Sequence, residues 1–223
     1  MRVVIFDVDG TLVDSQDDIC AAMNATFGSA GHPPPAASAV RAIVGLSLPE
    51  AMRRLAPDLE ADHPELVAGY KTAYMRLRAE RGAAQSSPLF PGAREALQWL
   101  NGEAETLLAI ATGKSRRGLD KLLEGHELAG LFVSEQVADH HPSKPHPSML
   151  EAVLAETGVT ASRAVMVGDT VFDMEMARAA GIATIGVTWG YHAPETLDAD
   201  MLISDFGALE PAVNQLLKNE TAA

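Results

Sequence analysis

Four aspartates in two short segments are the residues best suited to chemistry. Asp7 and Asp9 open the run Asp7-Val8-Asp9-Gly10-Thr11, directly after the apolar stretch Val3-Val4-Ile5-Phe6. Asp169 and Asp173 lie in Gly168-Asp169-Thr170-Val171-Phe172-Asp173, directly after Ala164-Val165-Met166-Val167. Carboxylates this close repel one another, and at a partly desolvated strand end they are costly unless a cation or hydrogen bonds compensate. An oxygen-rich pocket of this kind suits Mg²⁺, which takes few protein carboxylates and keeps water and phosphate oxygens as its other ligands. Calcium fits less well, because neither segment has the ligand alternation of an EF-hand loop. As ordinary structure, the first segment reads as a strand end, an Asx-type turn and a Ser15 helix cap, and Asp173 as a charge at a helix N-terminus.

Two other segments bring the opposite chemistry. Ala111-Thr112-Gly113-Lys114-Ser115 follows the apolar run 107–111 with a hydroxyl, a glycine and a helix start, a good cradle for phosphate. Lys144 stands in Pro142-Ser143-Lys144-Pro145-His146-Pro147, where prolines restrict the loop so that the ammonium can balance carboxylates and phosphate. Either segment alone also reads as a solvated turn.

The elements that must position these residues are short apolar runs at 3–6, 107–111, 164–167 and 183–187. Each is too short for a helix and too continuously apolar for a half-exposed strand, the pattern of parallel strands buried on both faces. Helical spacing lies between the later runs, at 93–100, 118–123, 149–156 and 172–180. The alternation predicts an α/β protein with a doubly wound, mostly parallel sheet, in which ligands gather at the carboxyl ends of the strands. From 15 to 87 there are helical stretches (19–27, 40–44, 49–56, 65–81) and no comparable strand. The expected organisation is a catalytic core of 1–14 and 88–223 with a helical domain of 15–87 inserted into it.

Taken together and in this order, the segments resemble the haloacid dehalogenase (HAD) superfamily of phosphohydrolases. Asp7-x-Asp9-Gly10-Thr11 is similar to its motif I, Thr112 to motif II, Lys144 to motif III and Gly168-Asp169-x-x-x-Asp173 to motif IV. A helical insert between motifs I and II resembles the C1-type cap. Gly10-Thr11-Leu12-Val13-Asp14-Ser15 and Trp189-Gly190-Tyr191 most resemble phosphoglycolate phosphatase-like members. The resemblance implies that Asp7 is a nucleophile forming an aspartyl phosphate, and that Asp9 is the acid and base. It implies that Mg²⁺ is held by Asp7, the Asp9 backbone carbonyl and Asp169, with Asp173 orienting metal and water from behind. Thr112, Gly113 and Lys144 would hold the phosphoryl oxygens. Founding dehalogenases lack the second aspartate, so Asp9 sides with phosphoryl transfer. Thr112-Gly113-Lys114-Ser115 departs from the Thr-Asn-Lys-Pro often seen in bacterial phosphoglycolate phosphatases, which leaves the substrate open. A β-phosphoglucomutase-type phosphosugar mutase and a phosphoacceptor regulatory protein are the alternatives. A phosphonoacetaldehyde hydrolase would need a cap lysine, and Lys71, the only lysine of the insert, reads as solvent-facing.

In the insert, Arg41 beside the loop Val44-Gly45-Leu46-Ser47 is a candidate for a substrate carboxylate, with a surface helix arginine as the plainer reading. His140, His141 and His146 match no zinc spacing, and His192 reads as packing or capping. The 223 residues carry a net charge of −13, which argues against nucleic acid and anionic membrane surfaces as partners and leaves a small phosphorylated metabolite. The charge is uneven: residues 15–87 hold 8 acids and 7 bases, and the remainder holds 22 acids and 10 bases. A lone cysteine, Cys20, rules out an internal disulfide, and the first apolar run is broken at Asp7, so a cytoplasmic protein is expected.

Overall fold

Every expected apolar run forms a strand in the computed structural model, which describes residues 1–217. β1 (Arg2–Phe6), β2 (Thr106–Thr112), β4 (Ala164–Gly168) and β5 (Ala183–Val187) build the middle of a six-stranded sheet of order β3-β2-β1-β4-β5-β6, with all pairs parallel. The two edge strands were not expected from the sequence. β3 (Ser134–Val137) carries the polar sequence Ser-Glu-Gln-Val and pairs only with β2, and β6 (Met201–Ile203) has three residues. β3 buries Ser134 and Gln136 as polar side chains hydrogen-bonded to each other, to Glu156 and to His141, so burial there leaves no apolar run, and of the three residues of β6 only Ile203 is buried.

Alternation along β1 decides what each face packs against. Val4 and Phe6 join Val165, Val167 and Ile110 on one face, and Val3 and Ile5 join Ala109, Ala111 and Met166 on the other. The first face is covered by α6 (Ala93–Gly102), α7 (Arg116–Gly125) and α10 (Leu209–Leu217) through residues such as Leu97, Leu119 and Val213. The second is covered by α8 (Ser148–Thr157) and α9 (Val171–Ala179) through Met149, Val153 and Met176. β1 lies between β2 and β4, so the winding reverses at its carboxyl end and opens the crevice where ligands bind in such sheets.

Residues between β1 and α6 form α1 (Gln16–Ser29), α2 (Ala37–Arg41), α3 (Leu48–Leu55), α4 (His63–Arg81) and α5 (Ala83–Ser86). They have their own apolar cluster of Ile19, Met23, Phe27, Val40, Met52 and Leu66. The chain leaves and re-enters the sheet layer through adjacent segments: Asp14 N donates to Pro88 O at 2.8 Å and Phe90 N to Leu12 O at 3.0 Å. Beside this crossing, the buried Asp18 carboxylate pairs with Arg81 at 2.9 Å and accepts from Ser86, tying both ends of the insert together.

Candidate active site

Asp7 follows β1 directly, and its backbone N–H still donates across the sheet to Val167 O at 2.9 Å. Asp169 follows β4, and Asp173 enters α9 as the third residue of a capping box. Thr170 N and Thr170 Oγ1 donate to Asp173 Oδ2 at 3.0 and 2.7 Å. All three carboxylates are fully buried, and one oxygen of each lies within 4.8 Å of the others. Lys144, itself buried, projects its ammonium between them, 2.9 Å from Asp7 Oδ1 and 2.7 Å from Asp173 Oδ1.

One ammonium cannot neutralise three buried carboxylates. Burial, opposed by Lys144 and reinforced by Asp173 and Asp9, pushes the Asp7 carboxyl up to about 6. Burial, with Asp173 and Asp7 nearby, raises Asp169 well above the ordinary carboxylate range. Burial works against the charge of Lys144, but Asp173 and Asp7 outweigh it and raise its pKa. Hydrogen bonds are shared unequally. Asp169 accepts from Thr11 Oγ1 and Tyr191 N, each at 2.9 Å, whereas Asp7 Oδ2 has no donor among the described residues. A buried, unpartnered carboxylate oxygen in an all-oxygen cluster fits a hard divalent cation. The residues able to hold one are Asp7, Asp169 and, one step back, the already engaged Asp173.

Asp9 lies outside this cluster. Its carboxylate is engaged at Oδ1, which accepts from Ser15 Oγ and pairs with Lys114 Nζ at 2.7 Å. Ser15 accordingly does not cap α1 with its side chain and holds Asp9 instead. Lys114 was in the expected phosphate loop but without a role, since nothing local in the sequence marks an ion pair with Asp9. Thr112 and Gly113 end β2 at the same crevice, and Ser115 caps α7 by accepting from Gly118 N at 3.2 Å. Lys114 N donates to Thr112 Oγ1 at 3.3 Å.

Glycines set how closely the segments approach. Gly10 has φ of +85°, and a Cβ there would overlap the Asp169 carboxylate; a Cβ at Gly190 would overlap Asp169 from the other side. Asp169 therefore sits in a slot between residues 10 and 190. The Trp189–Tyr191 segment completes the join, with Trp189 Nε1 donating to Thr11 O at 3.1 Å and Ser15 N donating to Tyr191 Oη at 2.8 Å.

The 44–47 loop of the insert rests on this crevice. A Cβ on Gly113 would lie 2.5 Å from Gly45 O and 2.7 Å from Leu46 O, and Ser47 N donates to Ser143 Oγ at 2.9 Å. Behind the loop is a cavity of about 760 Å³ whose lining includes Asp7, Asp9, Thr112 and Gly113.

The plainer reading of Arg41 agrees with its place in the structure. Arg41 ends α2 and does not line this cavity, whereas Arg78, one turn beyond Tyr74 on α4, does. Lys71 is exposed, as its helix pattern suggests, yet it lines the cavity as well. The spacing of α4 indicates a helix but not which flank faces the core, because its buried face is narrow. Two of the three loop histidines are held by protein partners: His141 contacts Ser148 Oγ at 2.8 Å and Gln136 Oε1 at 2.9 Å, and His146 Nδ1 accepts from Ser148 N at 3.2 Å. His192 Nδ1 accepts from Val171 N, and its ring meets Phe172 edge-on at 5.3 Å.

Known proteins resemble this arrangement along almost its full length. "Probable phosphatase IndB" of Dickeya dadantii is 36% identical over 97% of this chain and 95% of its own. "Phosphoglycolate phosphatase" of Pseudomonas putida is 34% identical over 94% of this chain and 79% of its own. Among solved structures, a predicted phosphoglycolate phosphatase from Haemophilus somnus shares the fold at a TM-score of 0.84 and 22% identity, covering 95% of this chain and 97% of that one. The model of the haloacid dehalogenase-like hydrolase family matches residues 4–187. With the two aspartate segments, Lys144 and the parallel sheet that holds them, that match identifies the chain as a member of the haloacid dehalogenase-like hydrolase family.

Proposed function

We propose that the protein is a Mg²⁺-dependent phosphatase that hydrolyses a small phosphomonoester of the cytoplasm through an aspartyl phosphate on Asp7. The observation that carries this reading is Asp7 itself, a buried carboxylate at the switch point of the sheet with an oxygen that has no donor among the described residues. The relatives named as phosphatases support the reaction class.

Mg²⁺, when bound, supplies positive charge that lets an anionic nucleophile approach an anionic phosphate. The Asp7 carboxylate attacks phosphorus, and the bond from phosphorus to the leaving oxygen breaks. Asp9, oriented by Ser15 and Lys114, gives its proton to that oxygen. Asp9 then takes a proton from water, whose oxygen attacks the aspartyl phosphate and frees Asp7 and inorganic phosphate. Lys144, Thr112 and the backbone at Gly113 hold the phosphoryl oxygens, close to the start of α7. In this reading residues 15–87 are a cap that closes on the core of 1–14 and 88–223, and the 44–47 loop excludes water during transfer.

Phosphate release from a phosphometabolite panel with Mg²⁺, abolished by chelator, tests the reaction. Mg²⁺ at about 100 times its Kd is expected to raise the melting temperature by about 5–10 °C at pH 8. The gain should shrink at pH 5. Asp7 is held above its unfolded value of 3.8, at about 6, so the folded protein keeps a proton there that the metal must displace. A melting temperature indifferent to Mg²⁺ and chelator at both pH values would refute the metal site. Gly113→Ala should leave the melting temperature within a few degrees but lower kcat/KM by roughly a hundredfold, because its Cβ would hold the loop carbonyls off the crevice. Wild-type kinetics would show that the loop does not seat there during turnover.

A further inference from the structure

The cavity under the insert is a poor match for a very small polar leaving group. At about 760 Å³ it falls in the range that encloses a drug-sized molecule, roughly 300–1,000 Å³. Its walls between the loop and the helices are largely hydrocarbon and aromatic: Ile19, Met23, Val44, Leu46, Tyr70 and Tyr74. The two tyrosines stack at 5.8 Å with 21° between their planes. This volume does not come from a retracted cap. The loop carbonyls of Gly45 and Leu46 already touch the Gly113 position, and Ser47 is hydrogen-bonded to Ser143. A two-carbon acid esterified to phosphate would leave room for on the order of ten or more waters, at about 30 Å³ each, against apolar walls. That arrangement forgoes the burial the walls provide.

Two cations of the cavity meet its aromatic wall at one ring, that of Tyr74. Lys114 is paired with Asp9, and its Nζ lies 5.5 Å from the Tyr74 ring centroid. Arg78 lies 5.3 Å from the same ring, with one nitrogen donating to Gly118 O at 3.0 Å. Through Asp9, Lys114 belongs to the phosphate end of a substrate, and both charges favour the approach of a dianionic phosphate, while Ile19, Met23 and Val44 line the same cavity with hydrocarbon.

We propose that the leaving group is a mainly apolar, ring-bearing alcohol, larger than glycolate, seated against Tyr70, Tyr74, Met23 and Ile19. This rests on the phosphatase reading of the same site. Ring burial then contributes to transition-state binding, and a short polar alcohol loses that contribution.

The test compares primary alkyl phosphates whose alcohols differ little in intrinsic reactivity: ethyl phosphate, phosphoglycolate, benzyl phosphate and 2-naphthylmethyl phosphate, each with Mg²⁺. The expected result is a kcat/KM at least tenfold higher for the two ring esters than for ethyl phosphate and phosphoglycolate. Tyr70→Ala, checked by melting, should narrow the ratio of benzyl to ethyl phosphate, and Tyr70→Phe should restore it. Equal rates across the series, or a preference for phosphoglycolate, overturn the proposal and leave the phosphatase reading standing. No phosphate release from any ester overturns both.

Discussion

Asp7→Asn is expected to abolish phosphate release, by at least about 10⁴-fold, without unfolding the protein. The amide keeps the shape of the carboxylate but cannot form the acyl phosphate, and loss of a covalent nucleophile costs on this scale. Stability should move the other way from an ordinary buried-residue mutation. Asp7 is a desolvated charge beside Asp173 and Asp169, held at about 6 despite the ammonium 2.9 Å away. Replacing it relieves repulsion, so the metal-free melting temperature should stay level or rise at pH 8. The increment from Mg²⁺ should shrink, because a ligand oxygen has been lost. Phosphate release and paired melts with and without Mg²⁺ measure both effects. More than 1% residual activity in pure protein would remove Asp7 from the nucleophile role.

Lys144→Met should be the most destabilising single change in the site. The side chains are similar in length, but the variant leaves Asp7 and Asp173 buried without their shared ammonium, and removing one partner of a buried pair costs about 3–5 kcal/mol. At roughly 2–4 °C per kcal/mol for a chain of this size, the melting temperature should fall by about 6–20 °C. The loss should be smaller at pH 5, where the Asp7 carboxyl, held at about 6, can take up a proton, and smaller again with Mg²⁺, which replaces part of the missing charge. Melting curves over pH and Mg²⁺ test this. A uniform loss at every pH and metal concentration would mean that packing, not charge balance, is what Lys144 provides. Activity should also fall steeply, since the same ammonium faces the phosphoryl group in the proposed mechanism.

The sheet centre and the carboxylate cluster were legible in the sequence for the same reason. Strands buried on both faces leave continuous apolar runs, and Asp7 and Asp169 come directly after two of them. Once β1 and β4 are neighbours, their carboxyl ends must meet. The edge strands β3 and β6 left no such mark, because two of the buried side chains of β3, Ser134 and Gln136, are polar and satisfied by hydrogen bonds from or to distant residues, and β6 is three residues long. Within the site, the unread partners were those set by long-range contact. Lys114 with Asp9, Tyr191 with Asp169 and Ser15, and Arg78 with Gly118 each join positions far apart in the chain. Arg41 has the chemistry for a carboxylate and lies three residues before Val44, but it is the last residue of α2 and does not line the cavity. Helical spacing fixes which residues share a face without fixing what that face meets.

The insert has its own apolar cluster, in which Tyr191 is, among the described residues, the one member drawn from the sheet-bearing part of the chain, and then only at the margin. Most of the cavity walls belong to that cluster or to its surface, whereas the carboxylates and Lys144 are held by the sheet. Substitutions that reshape the walls therefore spend little of the stability that keeps the reacting groups in register. Descendants of one ancestral gene could change what they accept by altering residues 19–79 while the sheet remained under separate selection. A lineage built this way diversifies by swapping appetites and keeping the same teeth.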